Sequence, residues 1–373
     1  MTVIKIRHGI KRKAGILWIM VLAGLLLYGV HPSAAMAKAK DPAALPALQV
    51  DLSQTSVSGL SSGAYMAGQF AVAYSAIVIG AGLIAGGPYY CSGTVGIAPY
   101  IPYLSNAMST CMNPDSAHVA PPLASASWSA ANIFSRDGAI DPTSNVAKQR
   151  IYLFSGSDDQ TVTRPVVDQA RRFYQLAGVP EGNIRYVITY HAGHAFITDK
   201  NGDQACPLTA PPYINDCDYP QAHDLLNHIY QNLQPPSARL SGKIVKFNQR
   251  SYARDAFSSM SNTAYAYVPA SCASQTCRVH IAFHGCYQGA AAIGDHFYAR
   301  AGYNEVADAN NIVVLYPQAE PSPVYPYNPR GCWDFWGYTS VNPFLPDFYL
   351  KSGTQMAAVK AMLDRLAAPR GSH

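Results

Sequence analysis

The chain has 373 residues, with 27 Lys and Arg against 22 Asp and Glu and a formal net charge of +5. Residues 1–37 hold five of the basic side chains (Lys5, Arg7, Lys11, Arg12 and Lys13) and no acid, so residues 38–373 carry 22 charges of each sign. A near-neutral body argues against nucleic acid or an anionic membrane as partner, and the 336 residues after position 37 suffice for a large buried core.

In chain order the first segment reads as a secretory signal peptide. The basic cluster precedes an apolar run from Ala14 to Val30, and Ala35-Met36-Ala37 offers a small-x-small cleavage site. The run is close to the lower limit of about 17 residues for a membrane span, but the cleavage pattern favours export. The expectation is processing near Ala37, delivery to the periplasm or the medium, and no stable membrane insertion afterwards. Residues 38–373 are expected to form one catalytic domain, because no Gly/Ser/Thr-rich linker, charge block or internal repeat divides them. Gln234-Pro235-Pro236-Ser237 is the one seam.

The first motif that carries chemistry is Gly59-Leu60-Ser61-Ser62-Gly63. G-x-S-x-G is a nucleophile elbow, a tight strand-to-helix turn whose small neighbours let a strained serine stand exposed. A strand is predicted to lead into Val57-Ser58, and a helix to follow with Ala64, Met66, Ala67, Phe70 and Ala71 on its apolar face. Ile77–Ile84 and Arg150–Phe154 read as further strands. Just past the latter, Gly156-Ser157-Asp158-Asp159 turns the chain, which favours Asp159 over Asp158 as a triad acid at the sheet edge; Asp158 is the residue left to cap a helix beginning near Arg164.

The strand Ile184–Tyr190 runs into His191-Ala192-Gly193-His194. Gly193 permits a sharp loop, making His194 the candidate general base and His191 a structural hydrogen-bonder. The order Ser61, Asp159, His194 is that of α/β-hydrolases. Strands at Val279–Phe283 and Ile312–Tyr316, with helical patterns around 163–177, 296–309 and 353–366, complete an alternation that predicts an α/β fold, a mostly parallel sheet with helices on both faces.

His284-Gly285-Cys286 has the His-Gly form that gives such enzymes their second oxyanion donor, from a strand that normally precedes the elbow. Here it lies more than two hundred residues after Ser61. That inversion predicts a circularly permuted α/β-hydrolase, a rearrangement tolerated where termini lie close together. The backbone N–H groups of Ser62 and Cys286 are then the oxyanion-hole candidates, with His284 shaping its loop.

All eight cysteines lie beyond the leader and none forms a CxxC pair, so disulfides are favoured over metal ligation. Local spacing favours Cys91–Cys111, Cys206–Cys217 and Cys272–Cys277, leaving Cys286 with Cys332. A free Cys286 nucleophile is the disfavoured alternative, since a serine elbow is present.

This set of residues resembles the poly(3-hydroxybutyrate) depolymerases with a circularly permuted α/β-hydrolase catalytic domain. The likeness covers most of the chain after the leader. It rests on Val57 to Met66, Ala81 to Cys91, Gly193-His194-Ala195-Phe196, His284 to Gly289, Gly302-Tyr303-Asn304-Glu305 with Ala307-Asp308-Ala309-Asn310, and Leu315-Tyr316-Pro317-Gln318. The resemblance implies hydrolysis of short-chain polyhydroxyalkanoate or its oligomers by Ser61, Asp159 and His194, with Ser62 and Cys286 as oxyanion hole and no metal or cofactor. It also implies a tryptophan lining the substrate crevice, for which Trp333 is the nearest match and Trp336 the second.

Many extracellular members carry a polymer-adsorbing domain after the catalytic one, and none is legible here. Solid polymer would then meet the catalytic domain's own surface, where the 25 tyrosines could adhere to it. The expected species is a monomer. Two other readings stay open: a secreted carbohydrate esterase of feruloyl or acetylxylan type, and a surface-binding protein that has kept a hydrolase fold without its activity.

Overall fold

In a computed structural model, which describes residues 43–94, 102–253, 257–342 and 344–371, the short apolar runs of the sequence become strands of one large sheet. The expected signal peptide, residues 1–37, lies outside the described residues. In chain order the strands are β1 (Thr55–Leu60), β2 (Val78–Ile84), β3 (Arg150–Phe154), β4 (Ile184–Val187), the short β5 (Phe196–Thr198), β6 (Gln204–Ala205) and β7 (Ile214–Asp216), then β8 (Lys243–Asn248), β9 (Thr263–Val268), β10 (Arg278–Phe283) and β11 (Ile312–Tyr316). The helices are α1 (Ser62–Ala73), α2 (Pro102–Met108), α3 (Ala124–Arg136), α4 (Arg164–Leu176), α5 (Gln221–Tyr230), α6 (Ala290–Ile293), α7 (Tyr303–Ala309) and α8 (Thr354–Ala367).

The main sheet runs β4-β3-β2-β1-β10-β11-β9-β8, parallel from β4 to β11 and antiparallel at β9 and β8. The chain therefore enters at the centre, walks outward to β4, crosses to the opposite edge at β8, and returns to the centre through β10. This is the path left when the ends of an α/β-hydrolase sheet are joined and the chain is cut before the nucleophile strand. The segment holding Gln234–Ser237 makes the crossing, tied to α7 by Gln234 N–H to Asn310 Oδ1 (2.7 Å) and Ser237 N–H to the Glu305 carbonyl (2.9 Å). Near the cut, Leu48 N–H donates to the Leu366 carbonyl (2.9 Å) at the end of α8.

Burial explains which residues form which layer. β1, β10 and β11 are covered on both faces, so their side chains form almost continuous buried runs rather than an alternation. Helix α1 is buried along its whole length, more than the one apolar face expected of it, because small residues let it lie against both β1 and β2. α4 is amphipathic, burying Val166, Val167, Ala170, Phe173 and Tyr174 at helical spacing, and Pro165 sits in its first turn, where a missing N–H costs nothing.

The central pair β1 and β10 joins segments over two hundred residues apart, in the register Ser56 opposite His280 and Gly59 opposite Phe283. A buried polar cluster sits on this seam. His280 Nδ1 meets Ser56 Oγ (2.6 Å), its Nε2 meets Ser58 Oγ (2.8 Å), and Ser58 Oγ meets Tyr303 OH (2.6 Å). Burial drives the imidazole pKa down to about 3, so it is neutral and each ring nitrogen has a partner. A slip of one residue would separate all of these groups and leave them unpaired in the core.

Two differences from the sequence expectation stand out. The strand predicted to reach Tyr190 ends at Val187, although Ser157 N–H still bonds the Tyr190 carbonyl (3.0 Å). β8 and β9 went unpredicted; β8 is an edge strand bearing Lys243 and Lys246, a charge pattern that discourages pairing with another chain and hides the strand signal.

Candidate active site

Ser61 occupies the turn between β1 and α1 with φ 58° and ψ −121°, a conformation strained for any residue with a Cβ. The surroundings hold it there: Ser61 N–H continues the ladder to the Ile84 carbonyl (2.9 Å), while its own carbonyl accepts from Ala64 and Tyr65 N–H (2.9 and 3.1 Å). Gly63 is required by space. A Cβ on it would lie 2.3 Å from the Phe283 oxygen and 2.5 Å from the His284 oxygen, so only glycine lets α1 begin directly against the loop after β10.

Asp159 and His194 come together from the loops after β3 and β4. His194 Nδ1 lies 2.7 Å from Asp159 Oδ2, and the two side chains are 7% and 1% exposed. The other carboxylate oxygen accepts the N–H groups of Thr161 (2.7 Å) and Val162 (3.0 Å), so the buried charge is satisfied on both sides. His194 is held from behind by Thr209, whose Oγ1 accepts its backbone N–H at 2.8 Å. A Cβ on Gly193 would stand 2.4 Å from the Leu208 oxygen, so this loop also needs its glycine for close approach.

The neighbouring candidates point elsewhere. Asp158 and His191 sit at the surface, 41% and 86% exposed and 3.5 Å apart, each contacting Ser157. Asp158 does not cap α4; that helix starts after Thr163 with no side-chain cap. Among the described residues no hydrogen bond joins Ser61 Oγ to His194 Nε2, a contact that commonly tightens only when substrate binds.

The His-Gly loop lies beside the elbow, as the β1/β10 register demands. Neither Ser62 N–H nor Cys286 N–H has an acceptor among the described residues, which leaves both free as donors. Gln288 shapes the loop: its Oε1 accepts Gly285 N–H (2.7 Å) and its Nε2 donates to the carbonyls of Pro212 (3.2 Å) and Tyr213 (3.0 Å). His284 Nε2 accepts Ala319 N–H (3.1 Å) and its Nδ1 donates to the Gly285 carbonyl (2.7 Å); burial pushes its pKa down to about 4, so it is a neutral brace. Sequence reasoning missed the roles of Thr209 and Gln288. Gln288 lies two residues from Cys286, whereas nothing local marks Thr209.

Four disulfides are present: Cys91–Cys111, Cys206–Cys217, Cys272–Cys277 and Cys286–Cys332. Cys286 is therefore no free nucleophile. Its bond draws Gly331-Cys332-Trp333-Asp334 against the elbow, where Trp333 N–H donates to Ser62 Oγ (3.2 Å). The Asp334 carboxylate gathers the N–H groups of Trp336, Gly337, Tyr338 and Thr339 and so shapes this segment; burial raises its pKa, an effect these bonds oppose.

Trp333 does not line an open crevice, contrary to expectation. Its indole is 0% exposed, packed edge-on to Phe283 (5.1 Å) and tilted over His284 (5.5 Å), so it supports the loop from inside. Trp336 is half-buried against Phe335 and Tyr338. Among the described residues no group of three His, Cys, Asp or Glu could hold a metal ion.

A polyhydroxybutyrate depolymerase of Talaromyces funiculosus is 37% identical over 342 residues, covering 87% of this chain and 93% of that protein. The chain belongs to the polyhydroxybutyrate depolymerase family. A poly(3-hydroxybutyrate) depolymerase of Delftia acidovorans is 40% identical over 334 residues, 88% of this chain, but this chain spans only 62% of that protein's length. The crystal structure of the PHB depolymerase from Penicillium funiculosum superposes with a TM-score of 0.77 at 35% identity, covering 87% of this chain and 98% of that one. A serine-to-alanine PHB depolymerase complexed with an R3HB trimer superposes with the same figures. No protein-family model matches the chain.

Proposed function

We propose that this member of the depolymerase family is an exported serine esterase that cleaves poly(3-hydroxybutyrate) or its 3-hydroxybutyrate oligomers. The observation that carries the reading is the buried His194–Asp159 pair at 2.7 Å, set at the same C-terminal end of the parallel strands as a strained serine elbow.

Ser61 Oγ attacks the ester carbonyl while His194 Nε2 takes its proton, leaving the charged imidazolium against Asp159. The oxyanion is held by the N–H groups of Ser62 and Cys286; one such donor is worth about 3 kcal/mol of transition-state stabilisation. Collapse of the intermediate breaks the ester C–O bond, and His194 returns the proton to the leaving alcohol. Water then attacks the acyl-enzyme by the same route in reverse. Trp333 acts by bracing the His284–Cys286 loop, and Trp336 is the better placed of the two indoles to meet substrate.

Export is supported by the basic-apolar leader and by four disulfides, which persist in oxidising compartments. Among the described residues no helix is long and apolar enough to cross a membrane. A single catalytic domain after residue 37 fits the one main hydrophobic core.

The test presents purified protein and a Ser61→Ala control with amorphous poly(3-hydroxybutyrate), 3-hydroxybutyrate oligomers and a feruloylated sugar, following acid release. Serine-dependent release from the hydroxybutyrate substrates is expected. Release from the sugar ester alone would replace the reading with a carbohydrate esterase, and no serine-dependent release would favour a binding protein.

A further inference from the structure

An unpaired cation stands at the rim of the candidate oxyanion hole. Tyr287, the residue after Cys286, donates its N–H to the Arg330 carbonyl at 2.7 Å, and the Arg330 guanidinium lies 5.9 Å from the Tyr287 ring centre. Arg330 is exposed, and no ion pair joins it to a carboxylate among the described residues. Glu320, which falls opposite Arg330 when the Ser322–Asn328 pairing is extended, makes no ion pair with it among the described residues. Lys200, by contrast, is paired to Glu305 at 2.6 Å.

The cation also has a side. The Tyr213 carbonyl accepts the N–H of Phe196, two residues after His194, and also binds Gln288 of the oxyanion loop. Burial pushes the Tyr213 phenol up; Tyr287 adds to this and Arg330 opposes it. The Arg330–Tyr287 pair therefore sits on the part of the oxyanion loop that Gln288 and the Tyr213 carbonyl tie to the His194 loop. The leaving alcohol must be protonated by His194, and its fragment therefore extends over the same ground.

Resting on the esterase reading above, we infer that Arg330 is a specificity-determining residue that captures the free carboxylate of the leaving 3-hydroxyalkanoate fragment and so favours cleavage near the carboxyl end of a chain. The chemistry fixes which end is recognised. In a 3-hydroxyacyl oligomer the hydroxyl-terminal part forms the ester with Ser61, and the part released as alcohol bears the terminal carboxylate. A guanidinium meets a carboxylate through two parallel N–H···O bonds, and a tyrosine face beside it holds the guanidinium in place. An internal ester of a long chain offers no charge there.

The test measures kcat/KM for the 3-hydroxybutyrate trimer as free acid and as methyl ester, in the native protein and in Arg330→Met and Arg330→Lys. The native protein should prefer the free acid at low ionic strength, and added salt should erode that preference. In Arg330→Met the acid-to-ester ratio should fall by about fivefold, the scale of one exposed ion pair, chiefly through a higher KM for the acid. Arg330→Lys should recover part of it. An unchanged ratio in Arg330→Met overturns the inference while leaving the esterase reading intact. Failure of the native protein to cleave either trimer overturns both.

Discussion

The first turn of α1 and the end of β10 touch at Gly63 and Phe283, where an added Cβ would stand 2.3 Å from a carbonyl oxygen. Gly63→Ala must push the elbow off the His284–Cys286 loop. It is expected to lower stability by about 1–3 kcal/mol, as overpacking does, and to lower kcat more than it raises KM, because the two oxyanion donors separate. A thermal melt with steady-state kinetics checks both, and native-like kcat would count against the assigned hole.

Asp159→Asn keeps the shape of the buried pair but offers an amide where a carboxylate fixed the imidazole. Activity should fall by about 10⁴-fold in kcat with the fold retained, the scale seen when a triad acid loses its charge. Asp158→Asn, at the exposed neighbour, should change kcat little. Equal losses in the two variants would remove Asp159 from the triad.

Cys286–Cys332 closes a loop of 46 residues and anchors the oxyanion loop to the Trp333 segment. The double change Cys286→Ser and Cys332→Ser should cost about 2–4 kcal/mol of stability. Below its melting temperature the variant should also lose kcat, since the Cys286 N–H is no longer held. A variant that melts earlier yet turns over normally would make the bond purely structural.

Two buried histidines set a pH limit on the fold. Unfolded, each titrates near 6.5, whereas burial holds His280 near 3 and His284 near 4. Between pH 6.5 and 4 the unfolded chain binds protons that the fold refuses. Stability is therefore full above about pH 6.5 and declines as pH falls through that window, by about 1.4 kcal/mol per unit for each histidine. Asp334, pushed up by burial, acts in the opposite sense only where carboxylates titrate. The melting temperature should be lower at pH 5 than at pH 7.5, and a flat profile would contradict the buried neutral imidazoles.

What could be read from the sequence alone was chemistry written locally. Gly59-Leu60-Ser61-Ser62-Gly63 declares an elbow because the turn needs small residues within five positions, and the late His284-Gly285-Cys286 exposes the permutation because chain order is itself a sequence property. Strands buried on both faces were legible as apolar runs, while edge strand β8 was not, since half its side chains answer to solvent.

The tertiary structure decided whatever depends on which distant segments meet. It turned Asp159 inward and Asp158 outward, one residue apart, because only one carboxylate can reach His194 while accepting the N–H groups of Thr161 and Val162. It buried Trp333 behind His284, and it recruited Thr209 and Gln288 as braces. No periodicity or motif encodes such contacts, because a side chain's burial is set by what the rest of the fold packs against it.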